Sequence, residues 1–173
     1  TFFIFSALLG FGQGFQPVCA YNWGAGKYDR VRKATVFTAQ VGSIIIAILS
    51  ILTYIFTPSI IRAFIKEDPM VIEVGTRALR AQCILLPFCG INVTTNMALQ
   101  GTSHVPSATF LAMCRQGIFY IPAILVLPRI LGITGVEIAQ PAADTLTFTV
   151  STFLFISFLR ECKEKSKKDD VVA

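Results

Sequence analysis

Residues 34–61 read ATVFTAQVGSIIIAILSILTYIFTPSII, a run without Asp, Glu, Lys or Arg between Lys33 and Arg62. At 1.5 Å of rise per residue a helix of this length measures about 42 Å, more than the ~30 Å hydrocarbon core of a bilayer. Residues 1–26, 81–114 and 145–159 are equally free of charge. The 173-residue chain is 54% hydrophobic and 14% charged, whereas soluble domains carry about 25% charged residues. A soluble one-domain globule is thereby excluded. The expected fold is an all-α, polytopic transmembrane helix bundle with spans at about residues 1–22, 34–61, 72–101, 106–128 and 138–159. Residues 1–162 would form the bundle and 163–173 a charged tail.

The net charge of +5 lies largely at span ends and in the tail, a distribution suited to anionic lipid headgroups and not to nucleic acid. The expected partner is thus the lipid bilayer, and no nucleic acid. Lys27, Arg30, Arg32 and Lys33 fill the first loop and Arg160, Lys163, Lys165, Lys167 and Lys168 the tail. Arg62, Lys66, Arg77 and Arg80 flank the second loop, and the fourth has Arg129 alone. Because cytoplasmic loops keep the basic excess, the tail is expected in the cytoplasm. Cys19, Cys83, Cys89, Cys114 and Cys162 are odd in number and lack C-x-x-C spacing, which suits buried thiols better than disulfides or zinc. The chain opens inside an apolar run without an initiator Met, and the expectation is a piece of a longer protein.

Polar residues at membrane depth need protein or water beside them. In the first span Gly10 and Gly14 form G-x-x-x-G, a pattern that lets a neighbouring helix approach closely. Gln13 and Gln16 share a face there, and Pro17 frees the Gln13 carbonyl. These groups would line a wet cavity or bond between helices. Asn92, Asn96 and Gln100 recur every four residues in the third span, a ladder that lipid would not tolerate and that serves the same two uses. Pro87 and Gly90 just before it are expected to bend the helix.

Arg115 and Arg129 bracket too few residues to span a bilayer, which places Arg115 about 10 Å inside the core, in a cavity or snorkelling. Pro122 adds a kink to the same span. Asp144 falls about 9 Å in from the outer side, and an intramembrane carboxylate suggests function. The depth count sets it about 10 Å from Arg115 along the membrane normal and argues against a direct ion pair. Asp144 would instead face water, cap near Pro141 or take hydroxyls from a neighbouring helix. The single histidine, His104, lies in the short third loop, so no metal site is expected. With no G-x-S-x-G, P-loop or paired intramembrane carboxylates, the expectation is not an enzyme but a binding or translocating protein.

Taken in order, Gly10 to Pro17, Tyr21 to Ala25 with Arg30, Gln82 to Pro87, Met97 to Gly101, Arg115 with Pro122 and Pro128, Gly132 to Gly135 and Pro141 to Asp144 resemble the multidrug and toxic compound extrusion (MATE) transporters. The resemblance implies a two-lobe, twelve-helix exporter of drugs and other organic cations, working by alternating access with sodium ions or protons as coupling ions and no other cofactor. This chain would hold its last five helices, in the plasma membrane, with the N-terminal lobe as missing partner. Carried over, Gln13, Gln16, Tyr21, Asn92, Asn96 and Gln100 would line the second lobe's substrate cavity, while Arg115 and Asp144 match pattern positions of unassigned role. One departure stands out: the sodium-coupled branch has a carboxylate midway along the tenth helix, and here that helix has no acid after Glu73. The alternatives are a lipid-linked precursor or polysaccharide flippase of the same superfamily, which needs a more basic cavity, and a non-transporting truncated bundle.

Overall fold

A computed structural model describes residues 2–64 and 69–172; Lys66, used above in the loop reading, lies outside them. Every regular element among the described residues is helical: α1 (Phe2–Gly24), α2 (Tyr28–Phe64), α3 (Pro69–Leu85), α4 (Cys89–Gly101), α5 (Val105–Met113), α6 (Tyr120–Leu131) and α7 (Ile133–Val172). Four helical runs, Tyr28–Ile61, Ile72–Gly101, Val105–Leu131 and Ile133–Lys168, are long and apolar enough to cross a bilayer, and α1 with 23 residues has the length of a further span. The chain is a membrane protein. The helices overrun the expected bounds because their charged ends stay helical. Arg30, Arg32 and Lys33 occupy the first turns of α2, and residues 163–172 prolong α7.

Burial is inverted relative to a soluble bundle. Ile44, Ile48, Ile51, Ile55 and Phe56 of α2 are exposed, while Thr35, Ser50 and Thr57 on the same helix are buried. Water would penalise that pattern and lipid favours it, provided each hydroxyl finds a partner. Thr35 and Thr57 donate to the carbonyls of Val31 and Thr53 one turn back, at 2.8 and 2.6 Å. The centre of the bundle is the third span, 67% buried in its most apolar stretch against 17% for that of α2. Leu86, Val93, Ala98 and Leu99 there join Leu8, Phe15 and Cys19 of α1 and Phe158 and Cys162 of α7 in one core.

That span breaks where the sequence places Pro87. A 3₁₀ turn, Leu86–Phe88, separates α3 from α4. Proline has no N–H for the Cys83 carbonyl, and the Ser50 hydroxyl of α2 donates to it instead. Beyond the break, a Cβ on Gly90 would stand 2.8 Å from the Ser43 backbone nitrogen, so only glycine allows α2 and α4 this approach. Among the described residues no helix comes close at the G-x-x-x-G pair: Gly10 and Gly14 have no atom within 4 Å of a Cβ position. The close crossing uses Gly12, where a Cβ would meet Val93 Cγ1 at 2.8 Å. Gly10 and Gly14 instead share an exposed face of α1 with Gln13, Pro17 and Tyr21.

The fourth span is also interrupted. Between α5 and α6 the backbone widens into a π-helical segment, Cys114–Phe119. Pro122 leaves the Ile118 carbonyl inside that segment without its usual donor, and π turns gather at functional sites. Gly132, at φ +60°, closes the turn from α6 into α7.

Candidate functional site: a charged node beside a mostly apolar cleft

The π segment aims Arg115 at α7. Its Nε lies 2.9 Å from Asp144 Oδ1, so the ion pair that the depth count argued against exists. Gly132 follows Arg115 by 17 residues and precedes Asp144 by 12. In an antiparallel hairpin that offset is only about 7 Å of rise, which the wider π turn and a long arginine side chain close. The count erred by anchoring two straight helices at one outer boundary, Arg129 on one and Ile138 on the other, with no allowance for the π turn or the hairpin that joins them.

Asp144 does not face water either; its side chain is 3% exposed. Gln82 Nε2 of α3 donates to Oδ2 at 2.7 Å and Gln140 Nε2 of α7 to Oδ1 at 3.2 Å. One carboxylate thus gathers donors from α3, the π segment and α7. The three donors satisfy both oxygens of a buried carboxylate, which without partners would be costly to bury. Gln140 was within reach of sequence reasoning, since it precedes Asp144 by one helical turn. Gln82 carries no such signal, because only the tertiary fold brings it there.

Arg115 also borders a cleft of about 160 Å³, with Asn92, Asn96 and Gln116 as further polar walls and Met97 and Leu111 among the apolar ones. The ladder behaves in two ways. Gln16 Nε2 approaches Gln100 Oε1 at 3.5 Å, Gln100 Nε2 donates to Asn96 Oδ1 at 2.6 Å, and Asn96 Nδ2 donates to the Ala108 carbonyl at 2.8 Å. This amide chain ties α1 to α4 and α5. Asn92 differs: it is 6% exposed, and neither amide atom has a hydrogen-bond partner. The structure therefore gathers Asn92, Asn96 and Arg115 around the cleft and connects Gln16 and Gln100 to Asn96. Gln13 and Tyr21 stay apart on the exposed face of α1, Tyr21 at 74% exposure. His104 sits just before α5, in the third loop as expected, with Nδ1 3.0 Å from Thr102 Oγ1 and Nε2 3.3 Å from Glu161. All five cysteines are buried free thiols.

The chain is similar to the multidrug export protein MepA of Staphylococcus haemolyticus, 27% identical over 150 residues that cover 87% of this chain and 32% of that protein. It is also similar to the multidrug export protein MepA of Staphylococcus saprophyticus, 24% identical over 89% of this chain and 33% of the relative. The chain thus spans about a third of the length of these curated relatives. No solved structure matches it. The MatE family model matches residues 1–126, and with that match over most of its length the chain belongs to the MATE transporter family.

Proposed function

We propose that this chain forms the second lobe of a secondary active exporter that expels drugs and other organic cations by alternating access, coupled to inward flow of sodium ions or protons. The observation that carries the reading is the cleft beside the node: apolar walls for affinity, interrupted by Asn92, Asn96, Arg115 and Gln116 to hydrate and orient a ligand. The N-terminal lobe would cover the exposed face of α1 and complete the pathway in the plasma membrane, with the tail in the cytoplasm. The names of the relatives, multidrug export proteins, support the same reading. A flippase for lipid-linked pyrophosphates fits less well, because Asp144 balances the charge of Arg115.

The deciding experiment is ethidium efflux from vesicles holding the complete transporter, under an imposed sodium gradient and then an imposed proton gradient. Efflux under one gradient alone is expected and would name the coupling ion. Absence of efflux under both, with movement of a labelled lipid-linked precursor, would replace the reading by the flippase.

A further inference from the structure

Away from the cleft, at the end of the bundle that carries the tail, Trp23 lies near the end of α1 and Tyr28 opens α2. The short turn between them sets their rings 5.0 Å apart at 83°, so two aromatic faces form a corner. Lys165 Nζ sits in that corner, 4.2 Å from the Trp23 ring centroid and 5.6 Å from that of Tyr28. Glu161 Oε1 lies 2.9 Å from the same nitrogen. Two π faces and a carboxylate around one ammonium group are the components of a cation cage.

The cage is braced without help from Lys165. Phe158 stacks on Trp23 at 5.9 Å and 21°, and His104 meets the indole edge-on at 5.5 Å. His104 Nε2 also lies 3.3 Å from Glu161 Oε2, holding the carboxylate from its other side. None of these contacts involves the lysine. Lys165 is the removable element: its side chain is 40% exposed and sits on the helical extension near the chain's end.

We propose that Trp23, Tyr28 and Glu161 form a binding site for organic ammonium ions, above all quaternary ones, and that Lys165 is an internal occupant that an external cation must displace. Methylated ammonium ions shed water more readily than sodium and offer the broad, diffuse charge that ring faces attract. The tail would then regulate the site by competition. The inference concerns binding alone and does not depend on the efflux reading.

Trp23 is the sole tryptophan, so its emission reports on the cage directly. The protein in nanodiscs, wild type and Lys165→Ala, is titrated with tetramethylammonium chloride, with sodium chloride at matched ionic strength, and with uncharged 3,3-dimethylbutanol. Emission of the variant should respond saturably to tetramethylammonium, with a midpoint about tenfold below wild type. Glu161→Gln should raise the midpoint, and the salt and the alcohol should have little effect. Equal midpoints in wild type and variant, an equal response to the alcohol, or no response from a variant with intact helical circular dichroism would overturn the proposal and leave Lys165 a mere fastening. Should Lys165→Ala fail to fold, wild-type protein still decides. Acetylation of Lys165, followed by mass spectrometry, should speed up as tetramethylammonium displaces it, and an unchanged rate would overturn the proposal.

Discussion

Asp144 shows how much one intramembrane carboxylate can organise. Removing its charge takes from Arg115 the carboxylate that lies 2.9 Å from its Nε, and breaking such pairs costs about 3–5 kcal/mol. Asp144→Asn should therefore lower the midpoint of denaturation in SDS titrations strongly, whereas the double variant Arg115→Met with Asp144→Leu should recover most of the loss. A double variant no better than the single one would assign the loss to the Gln82 and Gln140 bonds instead. Asn92 points the other way. Its unpartnered amide carries a desolvation penalty of about 1–3 kcal/mol, so Asn92→Leu, of similar volume, should raise the same midpoint. A fall would show that the amide has a partner in the membrane. Arg115, Asp144 and Asn92 were all legible in the sequence as polar residues at membrane depth. Their pairing was not, because it depends on a π turn and a hairpin offset that no residue spacing announces.

At the scale of the helix, the break at Pro87 couples two elements through one carbonyl. Ser50 donates to Cys83 because proline cannot. Restoring the N–H with Pro87→Ala gives that carbonyl a donor within its own helix. Ser50→Ala should then cost about 1 kcal/mol in the wild type and close to nothing in the Pro87→Ala background. Denaturation midpoints of the four proteins measure the coupling, and additive losses would refute it. The bend itself was foreseeable, since Pro87 and Gly90 stand together in the sequence. The choice of Gly12 over Gly10 and Gly14 as the crossing point was not, because a sequence pattern does not say which face of α1 meets α4.

For the whole molecule, uncharged runs revealed the membrane spans, while the charged turns hid how far the helices continue beyond them. The exposed isoleucines of α2 set a test of that architecture. Ile48 is 55% exposed near the middle of the helix, so Ile48→Lys should disfavour insertion by about 3 kcal/mol. A glycosylation-based insertion assay reads this directly, and unimpaired insertion would mean that lipid does not contact this face.

The aromatic corner also has a consequence for biosynthesis. Trp23 and Lys165 are separated by 142 residues in the sequence, yet their side chains meet at 4.2 Å. Trp23 therefore cannot gain this contact until Lys165, 142 residues later, has left the ribosome. Contacts of such high sequence separation form late, after the loop-closure entropy has been met. The corner thus closes late, and a ribosome stalled before Glu161 would hold a set of inserted helices whose corner still lacks its lysine.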